Sequence, residues 1–267
     1  MSSTILITGA TRGIGHDAAI ALAKRGHKII ACTREDREVA LAQDATDRDG
    51  LSIRWMKLDV TDPGDIAKAK GLSPDILINN AATGQTGPLA EIPLDRVRLG
   101  FETNVIGPLA LIQALVPAMA QRGHGRIVNI SSVAGRFVIP ALGPYVMTKF
   151  ALEAMSDVLR VELAPFGIKV AIIEPGKILT GFNEKMLATK WEWLRPDSLF
   201  KDKFDVWRER DRKFTPGSNP TDSVVRAIVD AVESPNPRIR TVAPSNNRVM
   251  VRLARSVSDK IFDWFFR

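Results

Sequence analysis

The sequence predicts an α/β fold: a single domain with a doubly wound parallel sheet and helices on both faces. Three observations carry this. Short apolar runs alternate with longer amphipathic ones, the pattern of strand–helix–strand units. Most strand candidates are apolar almost throughout, as strands covered on both faces are. The first of them runs into a glycine-rich turn that opens a helix.

Taken in order, strands are expected at Thr4–Thr8, Lys28–Thr33, Ile53–Leu58, Asp75–Asn79, Arg126–Ser131 and Lys169–Glu174. Helices are expected near Gly13–Arg25, Arg34–Asp44, Leu94–Gln121 and Tyr145–Phe166. A further helix, Pro220–Val232, has Thr221-Asp222 as its cap. The link from Asp62 to Asp75 has room for only about two helical turns. A chain of 267 residues, 45% hydrophobic and 25% charged, suits a globular protein with a sizeable core. The single cysteine, Cys32, excludes an internal disulfide framework and reads as core. No signal-peptide pattern and no run of 18 apolar residues is present, so a cytoplasmic setting is expected. The net charge of +7 comes without a basic block or a nucleic-acid motif, so no nucleic-acid partner is expected. His16, His27 and His124 are scattered, read as surface or loop residues, and form no metal site.

The turn Thr8-Gly9-Ala10-Thr11-Arg12-Gly13-Ile14-Gly15 follows a strand and precedes a helix. Its glycines allow a tight turn and close approach of a pyrophosphate, and the helix N-terminus offers free N–H groups. This is the turn of a Rossmann-like dinucleotide fold. At the end of the second strand, Thr33-Arg34 stands where an NAD-binding fold carries an acid. Without that carboxylate a 2′-phosphate is not repelled, and Arg34 and Arg12 can bind it. NADP(H) is therefore expected; the alternative is two solvated arginines.

Further on, Tyr145 is the only tyrosine in the chain and Lys149 follows it by four, which places both on one face of a helix. An ammonium close by favours the phenolate, so Tyr145 is expected to have a lowered pKa and to exchange a proton with a substrate oxygen. Ser132, at the end of a strand, can hydrogen-bond the same oxygen.

With these pieces in order, the chain resembles the short-chain dehydrogenase/reductase family, in the branch with a TGxxxGxG turn and a YxxxK site. The resemblance runs from about Thr4 to Thr180. It rests on Thr8–Gly15, Leu58-Asp59-Val60, Asn79-Asn80-Ala81, Asn104, Ser132, Tyr145 with Lys149, and Pro175-Gly176 with Thr180. Ser132, and not Ser131, has the family's spacing to Tyr145. The resemblance implies that Asp59 and Val60 flank the adenine, that Asn80 and Ala81 line the cofactor, and that Asn79 ties the central strands. It implies that Asn104 holds its helix and a water leading to Lys149, and that Lys149 binds the nicotinamide ribose. Ser132 polarises the carbonyl, Tyr145 moves the proton, and Pro175, Gly176, Ile178 and Thr180 meet the nicotinamide carboxamide. The chain departs from the family at Ala82, where a glycine is usual, and in the short Asp62–Asp75 link.

The activity implied is an NADP(H)-dependent interconversion of a ketone or aldehyde with an alcohol. The alternatives are a catalytically silent NADP(H)-sensing regulator or a membrane-surface scaffold. Residues 181–216 are expected to form a lid. They hold Trp191, Trp193, Trp207, Phe182, Phe200, Phe204 and Phe214. With Val133, Phe137, Val138 and Leu142, these wall a bulky apolar substrate such as a steroid, retinoid, lipid or aromatic ketone, or the tryptophans pack the lid onto the body or a partner subunit. Leu94–Gln121 and Tyr145–Phe166 are apolar on more than one face, and family members pair these helices across a dimer axis; a homodimer or homotetramer is expected. Residues 248–267 read as a basic amphipathic helix folded over the core or dimer seam, with weak membrane-surface contact as the alternative.

Overall fold

Seven parallel strands form one sheet in the order β3-β2-β1-β4-β5-β6-β7. They are β1 Thr4–Ile7, β2 Lys28–Thr33, β3 Ile53–Lys57, β4 Ile76–Asn79, β5 Gly125–Ile130, β6 Ile168–Pro175 and β7 Arg240–Ala243. The computed structural model describes residues 2–214 and 218–256. Side chains of successive strand residues point to opposite faces, and this divides the core in two. Ile5, Ile7, Ile29 and Ile78 join Leu22 of helix α1 (Gly13–Lys24) and Ile228 on one side. Leu6, Leu77, Ile127 and Val170 join Leu111 and Leu115 on the other. Each such buried side chain contributes about 1.5–3 kcal/mol. Both faces are covered, which explains the near-continuous apolar runs.

Helices α2 (Asp36–Arg48) and α3 (Pro63–Ala69) complete the first half. The next, α4 (Leu94–Phe101) and α5 (Gly107–Arg122), form one continuous helix, followed by α6 (Gly143–Leu163). After β6 come α7 (Phe182–Ala188), α8 (Phe204–Phe214), α9 (Asp222–Glu233) and α10 (Asn247–Ser256).

Several expectations change. The α2 helix runs past Asp44 because the Thr46 hydroxyl donates back to Ala42 O and accepts from Trp55 Nε1, which ties its last turn to β3. The long helix Leu94–Arg122 has a π-helical turn at Glu102–Ile106 that the apolar pattern does not register. By length and composition it could cross a membrane, but Leu111, Ile112, Leu115 and Met119 of its inner stripe lie in the core. Thr221 does not cap α9 with its side chain; its hydroxyl donates to Asp17 of α1 at 2.6 Å. His27 is buried, not a surface residue: its ring lies 3.4 Å from Glu233 and accepts the Ser3 N–H. Strand β7 was not foreseen, because Arg240 and Thr241 break the apolar run that marks the other strands. The α3 link holds two turns, as its length required. Cys32 is core, as expected.

Of the tail, α10 is described to Ser256, with Val251 buried. Residues 257–267, the rest of the expected tail helix, lie outside the described residues. The order of strands reverses between β1 and β4, and it is outside the C-terminal ends of the strands at such a point that open α/β sheets form their ligand crevice.

Candidate active site

The glycine-rich turn is built onto that crevice by short hydrogen bonds. The Thr8 hydroxyl accepts the N–H groups of Asn80 and Ala81, both at 3.0 Å. The Asn80 amide donates to Thr8 O and Gly9 O, both at 2.9 Å. Gly13 has φ +61, and a Cβ there would come within 2.8 Å of Thr180 Cβ, so only glycine brings the turn this close to the segment after β6. No side chain caps α1 and no acid stands in its first turn. Its N-terminal N–H groups and positive dipole end are thus left for an anion. These features fit a dinucleotide pyrophosphate. Thr11 is half-buried, Arg12 is exposed at the N-cap, Ile14 packs on the core and Gly15 is buried.

At the end of β2, Thr33 is buried and Arg34 is exposed, 3.5 Å from Glu35. The Thr33 hydroxyl donates to the Glu38 carboxylate. Sequence reasoning did not see this acid, because it lies five residues on, in α2. At the end of β3, the Asp59 carboxylate accepts from Thr61 N and Oγ1, while Val60 is buried. The Asp59 N–H donates to the buried Asp65 carboxylate at 3.0 Å, which makes Asp65 a further residue that fixes this corner. Burial works to raise the Asp65 pKa. The Asp59 N–H, Lys57 and Lys68 outweigh it and hold the carboxyl at about 2.

Asn79 ties the centre of the sheet, donating to Asn129 Oδ1 at 2.9 Å. Asn104 lies in the π-helical turn. Its amide donates to Thr83 O and to Thr148 Oγ1, and its oxygen accepts from Thr83 N. Both amide protons are committed, so Asn104 fixes the loop after β4 against α6 one residue before Lys149. Irregular turns of this kind recur at functional sites.

Ser132, Tyr145 and Lys149 come together. Ser132 leaves β5, accepts the Ala134 N–H at 3.1 Å and donates to Pro175 O at 3.4 Å. Tyr145 and Lys149 sit on the buried face of α6. Lys149 Nζ lies 5.7 Å from the Tyr145 ring centre and donates to Ile130 O at 3.0 Å. The expected lowering of the phenol pKa is not found. Burial pushes Tyr145 up to about 12, and a hydrogen bond with Ser132 pulls the other way. Burial pushes Lys149 down to about 8, opposed by the Glu153 carboxylate. Burial governs both groups, so the phenol stays protonated and is ready to donate.

The segment after β6 closes over this group. Gly176 N donates to Ala243 O, Ile178 is buried, and Thr180 touches the glycine turn. The aromatic residues of 181–214 divide between the two roles foreseen for them. Phe182 lies 5.8 Å from the Tyr145 ring. Together with Phe214, Met186, Leu142 and Ile139 it packs around the phenol. Trp191, Phe200, Phe204 and Trp207 pack on one another instead, and Trp193 lies over Gly87. Of the residues expected to join this wall, Leu142 lies in the cluster around Tyr145, while Val133, Phe137 and the half-exposed Val138 stand outside it.

With this geometry in view, similarity to known proteins becomes informative. The sequence profile described as short chain dehydrogenase matches residues 3–191. The chain belongs to the short-chain dehydrogenase family. Human retinol dehydrogenase 8 is 33% identical over 250 residues, covering 89% of this chain and 80% of its own. Human 17-beta-hydroxysteroid dehydrogenase type 1 is 31% identical, covering 89% and 76%. A solved short-chain dehydrogenase from Sphingobium yanoikuyae in complex with NADPH matches with a TM-score of 0.73 and 27% identity, over 95% of this chain and 93% of its own. The single-domain Rossmann-like architecture expected from sequence is thereby shown, and the chain is an oxidoreductase of this family.

Proposed function

We propose that this short-chain dehydrogenase interconverts a bulky apolar ketone or aldehyde with its alcohol, using NADP(H). The observation that carries the proposal is the burial of Ser132, Tyr145 and Lys149 together, with Tyr145 and Lys149 on one face of α6 and Lys149 Nζ 5.7 Å from the phenol ring centre. The turn Gly9–Gly15 would hold the pyrophosphate, and Asp59, Val60, Asn80 and Ala81 the adenine side. Lys149 would hold the nicotinamide ribose, and Pro175, Gly176, Ile178 and Thr180 the carboxamide. A bound nicotinamide dinucleotide supplies or accepts hydride. Ser132 holds and polarises the substrate oxygen. Tyr145, protonated in its buried setting, gives its proton to that oxygen in the reductive direction, and the Lys149 ammonium stabilises the phenolate that remains.

The apolar cluster of Phe182, Met186, Leu142 and Ile139 around the phenol supports a large apolar substrate. So do relatives named for retinol and for a 17-beta-hydroxysteroid. The exposed apolar residues Leu99, Ile106, Val158 and Val161 on the outer faces of α4–α6 support a homodimer or homotetramer. We place the enzyme in the cytoplasm, with any membrane contact confined to the tail.

The test is NADPH oxidation across steroid, retinoid, quinone and aryl ketones. Turnover on at least one class should fall about 10²–10⁴-fold in Tyr145→Phe. NADPH binding without turnover, unchanged in that variant, would instead support a silent sensor.

A second reading concerns the cofactor alone. The Glu38 carboxylate beside Thr33 brings negative charge to the end of β2 and favours NAD(H). The NADP/NAD ratio of kcat/KM decides between them. It should fall in Thr33→Asp/Arg34→Ala and rise in Glu38→Gln. A wild-type preference for NAD overturns the NADP(H) assignment and leaves the reaction intact.

A further inference from the structure

Behind Lys149 lies a set of charges that the proposed reaction does not use. Glu153 stands one turn further along α6 and is buried, with Glu174 from β6 buried beside it. Two guanidinium groups close on them from different elements. Arg136, from the turn after Ser132, lies 3.6 Å from Glu153 Oε2 and 3.7 Å from Glu174 Oε1. Arg240, from β7, lies 3.0 Å from the same Glu153 oxygen and 3.5 Å from Glu174 Oε1. Arg240 also holds Asp157 of α6, which lies 3.5 Å from Arg160. Arg136 and Arg240 thus face Glu153, Glu174 and Asp157, and Glu153 stands four residues from Lys149, one turn along the buried face of α6. On the other sides of this part of α6, the long helix presents the neutral Asn104 amide and α7 the apolar Phe182 and Met186.

The same carboxylate has a mechanical role. A Cβ on Gly135 would come within 3.0 Å of Glu153 Cγ and 3.1 Å of Lys149 O. The turn Val133–Gly135 that Ser132 opens therefore lies directly on α6, between Lys149 and Glu153. Arg136 leaves this turn and reaches Glu153. A buried ion pair formed between two elements fixes their register and penalises alternatives, since separating the partners strands a charge.

We propose that Glu153 is the positioning residue of this site: it supplies the counter-charge to the Lys149 ammonium and, through Arg136, locks the turn after Ser132 onto α6. This rests on the assignment of Ser132, Tyr145 and Lys149 to proton transfer. Glu153 touches no reacting atom; it acts through Lys149 and Ser132. Removing its charge leaves the buried ammonium less favoured, whereas removing Arg136 leaves the Glu153 carboxylate freer to stabilise that ammonium.

The test follows the titration of Lys149 itself by NMR of isotope-labelled lysine in the cofactor-free protein, with the resonance assigned through Lys149→Arg. The wild-type midpoint is expected at about 8. Glu153→Gln should lower it by about one unit and Arg136→Gln should raise it, while Arg136→Lys should restore the wild-type value. The alkaline limb of kcat/KM should move in the same directions. Unmoved midpoints in folded Glu153→Gln and Arg136→Gln would overturn the proposal. If Glu153→Gln does not fold, Arg136→Gln against Arg136→Lys decides alone. Wild-type turnover in Tyr145→Phe would remove the catalytic assignment while leaving the measured coupling intact, so the two failures are distinguishable.

Discussion

The two walls of the crevice are made by different means. On the cofactor side, the Thr8–Gly15 turn is set by hydrogen bonds of about 3 Å from Thr8 and Asn80 and by a left-handed glycine pressed against Thr180. On the side proposed for the substrate, residues 182–214 are held by ring contacts near 6 Å and by the buried Lys190, paired with Asp211 at 2.6 Å. The first wall depends on backbone geometry that few residues can supply. The second depends on filled volume, which many apolar combinations satisfy. Motif-like sequence is therefore concentrated on one wall, and substrate choice has freedom to vary on the other.

This contrast can be broken or sharpened by mutation. The largest effect is expected where the walls meet: Ser132→Ala should lower kcat about 10²–10³-fold, as loss of a donor to a developing oxyanion does, with NADPH affinity unchanged by fluorescence titration. Gly13→Ala places a side chain in the left-handed region at a cost of about 1–3 kcal/mol. It should weaken NADPH binding about tenfold to a hundredfold by calorimetry and leave the carbonyl KM at saturating NADPH unchanged. Asp65→Asn should lower stability by about 2 kcal/mol in urea denaturation at neutral pH. The sign follows from the depressed folded pKa. The Asp65 contribution is complete above the unfolded value of about 3.9 and is lost as pH falls toward about 2, so the variant and wild type should converge in acid. The smallest change is Met186→Ala, which should alter the KM for a bulky ketone several-fold while NADPH affinity stays fixed. Equal losses of cofactor and ketone binding in Gly13→Ala or Met186→Ala would erase the distinction between the walls.

Much of the first wall was legible in the sequence. The apolar runs gave six of the seven strands to within a residue or two, and the glycine spacing gave the turn. What stayed hidden depended on residues brought together from afar. Glu38 meets Thr33 only after α2 folds back, and Asp65 meets Asp59 only through the short α3. β7 pairs with β6 at the sheet edge and needs no apolar run of its own. The π-helical turn at Asn104 leaves the apolar period nearly intact. The spacing of Tyr145 and Lys149 gave their common face, but the sign of the phenol shift could not be read from it. Burial, to which Phe182 and Met186 contribute from the far side of β6, sets the direction, opposed only by the hydrogen bond with Ser132.

The central claim is that Tyr145 rests as a buried, protonated acid beside Ser132. As the only tyrosine in the chain, it can be titrated alone through the near-ultraviolet phenolate band, with brief pH jumps of the cofactor-free protein to avoid unfolding. A midpoint of about 12 is predicted, rising further in Ser132→Ala, because the Ser132 hydroxyl, turned from Pro175 O, can donate to the phenolate and alanine cannot. A midpoint at or below the free-phenol value of about 10, insensitive to Ser132→Ala, would contradict the account.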